Sequence, residues 1–287
     1  MNQLRRWLLR PASSVLRRLL FILAAVVAAY GILAYLVLPT VWTHYEHQRG
    51  LEGLPMVTRT TQGIPADPMN VGLVGAQEDV VCAMHAAAWY PADPITLRSS
   101  LKIIGSILLD RPYPDAPVST LFYQGRREDL AFEKPDGKSA DRRNHVRFWE
   151  VLKEGQEGRS VWLGAATFDR DVGFNRYTGQ FTHHIAPDID AEREFLTDAL
   201  KTAKVVEAIY EVSGVGPTLA GRNGEGDPYY TDGEIRVSRL VEGCGKQAPT
   251  TVELTNPPVI DLKNMVWQSA VEAFLSWQAA PASQDGK

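Results

Sequence analysis

Hydrophobic positions along the chain follow two regimes. From Leu19 to Leu38 they are continuous, twenty uncharged residues reading LLFILAAVVAAYGILAYLVL. A helix of about 20 residues spans the roughly 30 Å hydrocarbon core of a bilayer, and core helices of soluble domains rarely stay apolar on every face. Residues 19–38 are therefore expected to form a transmembrane helix, preceded by a basic segment, 1–18. A linker, 39–66, is expected to follow, because Gly50, Gly53, Pro55, Gly63 and Pro65 break any regular period there.

From residue 67 to about 278 the apolar positions instead alternate or recur at helical spacing. Asn70–Gly75 reads as a short strand and Gln77–Trp89 as a helix. Asp93–Leu109 reads as a second helix, stopped by Pro112, Pro114 and Pro117. Ser119–Gln124, His145–Leu152, Val161–Phe168 and Gln180–Ile185 have strand character, Asp188–Lys204 is helical, and Val205–Val212 and Glu234–Leu240 are again strands. Gly214–Gly233 between the last two is glycine-rich and reads as a loop of functional length. A helix over Leu262–Trp277 closes the domain, and 279–287 is expected to be a disordered tail. Consecutive strands joined by short turns favour antiparallel pairing. The expected fold class is α+β, a mostly antiparallel sheet flanked by helices behind one N-terminal transmembrane helix.

The chemistry concentrates between Asp141 and Arg193, which holds three of the six histidines. On a strand alternate residues share a face, so His145, Arg147 and Trp149 project together. An arginine fork beside a proton-carrying imidazole suits an anion; the plainer reading is a sheet face covered by a loop. Arg143 extends the same set, or is solvated charge with Arg142. His183 and His184 are adjacent and point to opposite sides of a strand, so at most one joins His145. Asp169 is placed to orient a histidine. No metal is assigned, since the spacings match no metal motif, and no cofactor is identified. Ile189, Leu196, Leu200 and Ala203 form an apolar helix stripe that includes Arg193, and a buried arginine requires a carboxylate partner, for which Asp190 and Asp169 are the candidates. The catalytic candidates are thus His145, His183, Asp169 and Asp190, and the ligand-binding candidates Arg143, Arg147, Trp149, His184 and Arg193.

Charge changes the picture in two ways. A formal charge of -4 argues against a nucleic-acid partner. Arg5, Arg6, Arg10, Arg17 and Arg18 precede the apolar run while Arg49 stands alone after it, so the positive-inside bias puts the N-terminus in the cytoplasm and the domain on the far side. A signal peptide has a shorter apolar region and a small-residue cleavage site, which makes an uncleaved anchor the better reading. Cys82 and Cys244 permit a bridge in an oxidising compartment; two free buried thiols is the plainer expectation.

Several stretches together resemble the LssY-like C-terminal domain of bacterial membrane-associated proteins. They are Asp67-Pro68-Met69-Asn70-Val71-Gly72-Leu73-Val74-Gly75, Tyr113-Pro114-Asp115-Ala116-Pro117-Val118-Ser119, Gly125-Arg126-Arg127-Glu128-Asp129-Leu130-Ala131-Phe132, Arg143-Asn144-His145-Val146-Arg147-Phe148-Trp149, Trp162-Leu163-Gly164-Ala165-Ala166, and Thr182-His183-His184-Ile185 with Asp188, Asp190 and Arg193. The resemblance covers about Pro55 to Val215. It implies a bacterial membrane-associated protein whose domain has no established activity; in some relatives it follows segments similar to type-2 phosphatidic acid phosphatases, which the single span here does not provide. Together with the charge bias, it makes a bacterial inner membrane, with the domain in the periplasm, the expected location. Relatives commonly carry His at the position of Asn144, so that residue is left out of the site. Three functions follow: a module binding a phosphate-bearing or lipid-linked anion, a phosphoester hydrolase with or without a metal, or a structural subunit of a membrane complex.

Overall fold

A helix satisfies its backbone polar groups within its own segment, and residues 19–37 of the apolar run are helical. The computed structural model describes residues 14–37, 48–51, 53–92, 119–137, 142–212, 220–248, 250–256 and 258–279. Helix α1, Ser14–Ile32, continues as a π-helical turn, Leu33–Val37. It buries none of its residues and is long and apolar enough to cross a membrane. It lies in a unit of its own, Met1–Thr43; the remainder, His44–Lys287, forms the second unit.

In chain order the second unit contains β1 (Val57–Arg59), β2 (Pro65–Pro68), β3 (Val71–Val74), α2 (Gln77–Ala86), β4 (Tyr90–Pro91), β5 (Phe122–Tyr123), β6 (Arg126–Arg127), β7 (Leu130–Pro135), β8 (Arg143–Leu152), β9 (Val161–Phe174) and β10 (Phe181–Ile185). Helix α3 (Ile189–Thr202), β11 (Val206–Val212), β12 (Ala220–Arg222), β13 (Pro228–Tyr230), β14 (Ile235–Leu240), β15 (Val252–Glu253) and α4 (Pro258–Ala279) complete it. Among the described residues a nine-stranded sheet runs β15-β11-β14-β3-β9-β8-β7-β4, with β10 paired to β9; of its strand pairs β11/β15 and β14/β3 are parallel and the others antiparallel. This is the expected α+β architecture, a mostly antiparallel sheet.

Strand alternation divides the side chains between two layers. Val146, Phe148, Trp162 and Ala166 face α2 and α3, meeting Val80, Met84, Leu196 and Leu200. Trp149, Leu163, Ala165 and Val237 face the other way, toward Ala66, Leu121 and Tyr123 of a small sheet ordered β2-β1-β5-β6. Helices therefore cover one face, and a second sheet covers the other. Each fully buried large side chain contributes about 1.5–3 kcal/mol. At Gly164 a Cβ would lie 2.6 Å from the Phe148 ring, so this strand position must be glycine for the two strands to close over that ring.

Polar residues fix the register. Asn70 donates to the carbonyls of Ala166 and Ile189, at 2.9 Å each, and accepts from Ala166 N, tying β3, β9 and the start of α3 together. Asp188 caps α3 by accepting from Ala191 N at 3.1 Å.

Three expectations change. The 39–66 linker reading gives way from Gln48 on, since Gln48 and Leu51 are buried and β1 pairs with β2. The 214–233 loop contains the β12–β13 hairpin in its described part. The free-thiol reading is corrected: Cys82 of α2 and Cys244, 162 residues apart, form a disulfide with a Cα–Cα distance of 5.5 Å, a closure worth on the order of 5 kcal/mol through unfolded-state entropy. The helix expected at Asp93–Leu109 and the tail beyond Ala279 lie outside the described residues.

Candidate functional site

The layer of β8 and β9 that carries Trp149 and Leu163 turns polar toward its other end. Register pairs Arg147 with Ala165, His145 with Thr167 and Arg143 with Asp169, while Glu133 of β7 pairs with His145. Ala165 opposite Arg147 leaves room for a guanidinium, and an apolar floor gives way to a buried cluster of charge.

Asp169, 2% exposed, is the hub. Arg143 Nε donates to its Oδ2 at 3.0 Å and Arg143 Nη1 to Glu133 Oε2 at 2.9 Å. His145 Nδ1 stands 3.3 Å from Asp169 Oδ1, and His183 Nδ1 4.0 Å from Oδ2. Asp169 thereby favours the proton on His145 Nδ1, leaving Nε2 to accept from the Thr167 hydroxyl at 2.7 Å. Arg147 donates through Nη1 to Asp67 of β2 at 3.2 Å and through Nε to the Ser119 carbonyl at 2.9 Å.

These side chains line one narrow recess. Asp67, Arg143, His145, Arg147 and Asp169 are its buried floor, and half-buried Thr182, His183 and Glu225 stand at its mouth. Its free volume of about 20 Å³ takes one water-sized group. Burial acts to raise the Asp169 carboxyl, but His145, His183 and Arg143 beside it hold it far below the usual carboxylate range. Glu225 moves the opposite way: burial and the carboxylates of Asp67, Asp169 and Asp227 push it up to about 8, against the pull of Arg147. One recess thus holds an anionic and a protonated carboxyl at neutral pH, the separation by which acid and base roles are set.

Glu225 reaches the mouth because Asn223 shapes its loop. Asn223 Oδ1 accepts from the backbone N–H groups of Glu225 and Asp227, at 3.1 and 2.8 Å. Asp227 then clamps the loop to β10 by accepting from Ile185 N at 3.2 Å and holding His184 Nδ1 at 2.8 Å. The His184 ring lies over Gly173, where a Cβ would come within 2.5 Å of Nε2.

Of the sequence candidates, Arg143, His145, Arg147, Asp169 and His183 converge on the recess. Four lie elsewhere. Trp149 is wholly buried in the layer beneath the small sheet, its indole N–H donating to Arg126 O at 3.2 Å. His184 faces away from His183 and serves the Asp227 clamp. Arg193 binds Asp232 through two contacts of 2.7 and 2.9 Å and lies 3.3 Å from Asp190, whose carboxylate also accepts from Thr231 Oγ1 and Asp232 N at 2.6 and 2.7 Å. That pairing is the partner the buried arginine required, and it pins the 231–234 turn to α3. Asn144 faces the opposite layer from His145 and donates to Lys134 O at 3.1 Å, so a histidine there would not enter the recess.

Asp67, Glu133, Thr167 and Glu225 were not singled out from sequence. Alternation along β9 carries Thr167 onto the face of Asp169, a signal present in the chain. Asp67 and Glu225 arrive from distant segments, and nothing local marks them. Among the described residues no three His, Cys, Asp or Glu side chains stand where they could hold one metal ion.

A family model described as LssY C-terminus matches residues 51–235. No curated protein matches the chain, and no solved structure does.

Proposed function

The chain belongs to the LssY C-terminus family, and from the recess its fold builds we propose that it binds an oxyanion, of a phosphate-bearing or lipid-linked ligand, beside Arg147 and His183. The observation that carries this reading is the state of Arg147. It is 3% exposed, lines the recess, and engages Ser119 O through Nε and Asp67 through Nη1, which fixes the guanidinium with its remaining edge toward the recess. A charge-assisted N–H···O bond from that edge to an oxygen of an entering oxyanion is of the strong kind. The small free volume admits one such oxygen and keeps the rest of the ligand at the mouth.

Location follows from three features. An apolar helix supports membrane attachment, the arginines before it favour a cytoplasmic N-terminus, and the Cys82–Cys244 disulfide favours an oxidising compartment. We place the domain in the periplasm, anchored by a single span in a bacterial inner membrane.

A second reading, phosphoester hydrolysis, draws on the order Asp169, His145, Thr167, a carboxylate, an imidazole and a hydroxyl in contact, as in activated nucleophiles. Thr167 is fully buried and does not line the recess, so this hydroxyl is spent on His145. Hydrolysis here would use a water activated by His183, and a metal-assisted form would need a ligand set that the described residues do not supply.

The test uses sulfate, whose charge is constant across neutral pH, titrated calorimetrically into the full chain in nanodiscs. Below about 8 Glu225 is neutral, and as pH rises through that value a negative charge appears at the mouth. Sulfate affinity is expected to fall roughly tenfold between pH 7 and 9, and Glu225→Gln is expected to flatten that fall. Equal pH dependence in both proteins, or no binding in either, overturns the reading.

A further inference from the structure

The strand that brings His183 to the recess continues outward into an exposed aromatic tip. In the β9–β10 hairpin Phe174 pairs with Phe181 and Val172 with His183. Residues two apart share a face, so the two phenyl rings occupy the rung next to His183, toward the turn. They are 70% and 64% exposed, with centroids 6.0 Å apart edge to face, and Tyr177 in the turn is 53% exposed. The tip is a built structure. Asn175 Oδ1 accepts from Tyr177 N and Thr178 N at 2.8 and 2.9 Å, and Gly179 closes the turn with a positive φ of 70°. Arg176 in the turn and the Arg170–Asp171 pair of β9 are exposed on the same hairpin. Three rings held in water on a defined turn mark an interaction site.

We propose that this tip docks on a bilayer, with Phe174, Tyr177 and Phe181 entering the boundary between headgroups and acyl chains, and that the oxyanion taken by the recess belongs to a membrane lipid. The docking step stands on the hairpin alone; the lipid step rests on the ligand reading above.

Four observations select a bilayer. The same polypeptide carries an apolar helix able to cross one, so that phase is always available to the domain. Aromatic rings beside arginines are the composition favoured at the membrane–water interface. A tip of three rings is far smaller than the roughly 800 Å² per partner of a stable protein interface. Finally, the recess admits one oxygen only, which leaves the body of its ligand outside, on the side where the rings stand.

Docking is tested with the full chain in vesicles of phosphatidylethanolamine and phosphatidylglycerol. Both native cysteines are bridged, so a Tyr177→Cys variant offers one thiol for a polarity-sensitive fluorophore, and Gln62→Cys in the exposed β1–β2 turn is the control. Spin-labelled lipid is expected to quench the label at 177 at least about twofold more than at 62, and Phe174→Ser with Phe181→Ser is expected to abolish the difference. Equal quenching at 177 and 62 overturns docking. The lipid step is read separately, from binding of monomeric short-chain phosphatidylglycerol against glycerol phosphate. An advantage of about tenfold for the lipid, lost in the double Phe variant, is expected. Equal affinities overturn the lipid step, whereas failure of sulfate, glycerol phosphate and lipid alike overturns the recess as an anion site and leaves docking to the quenching result.

Discussion

Asp169→Ala is expected to destabilise the domain by about 3–5 kcal/mol, the cost of leaving buried charge without its partner. The carboxylate receives Arg143 at 3.0 Å and stands beside His145 in the buried floor of the recess, with His183 4.0 Å away at its mouth. Its removal takes one carboxylate partner from buried Arg143 and frees the His145 tautomer. The effect has a pH signature. A carboxyl whose folded pKa is depressed contributes stability that is complete above its unfolded value, about 3.8, and is lost as pH falls toward the folded value. Denaturant unfolding of wild type and variant should therefore differ fully at pH 7 and converge below about pH 4. A gap under about 1 kcal/mol at pH 7, or one that persists in acid, contradicts the role assigned to Asp169.

Arg193→Ala is expected to have a loss of similar size, about 3–5 kcal/mol, for a different reason and with a different functional result. Arg193 is 5% exposed, and its truncation leaves Asp190 and Asp232 facing each other in a largely buried site. Burial and Asp232 already push Asp190 up to about 6 although Arg193 opposes them. Without the arginine the pair must take up a proton, so the variant should regain stability as pH falls from 7 to 5, opposite in direction to the contribution of Asp169. Sulfate affinity of the folded fraction should be unchanged, because Arg193 lies outside the recess. Loss of sulfate binding with stability intact would return Arg193 to the ligand site.

What the sequence made legible follows from the range of each signal. Alternation on one strand was enough to place Arg143, His145 and Arg147 together, and adjacency was enough to separate His183 from His184. The same alternation misled at Trp149. It shares the face of His145 but lies toward the apolar end of β8, and only the small sheet packed above it decides that it is core. The buried Arg193 was legible as a charge needing a carboxylate; that Asp232 supplies most of the pairing depends on a turn 39 residues away in sequence. Short strands such as β1 and β2 carry too few residues for a period to show, which is why 39–66 read as linker. The disulfide and the arrival of Asp67 and Glu225 at the recess are tertiary facts, with no local pattern to announce them.

The central claim, that the recess is where an anion is received, is tested most directly by the imidazole nitrogens themselves. With the full chain labelled on histidine with nitrogen-15 in nanodiscs, inorganic phosphate is added at pH 7 and each ring is followed by magnetic resonance, assigned by single His→Gln substitutions. The account predicts that His145 and His183 shift together and saturate, while His184, held by Asp227, and His85 on α2 stay in place. Shifts confined to His85 or His184, or none at all, would contradict it.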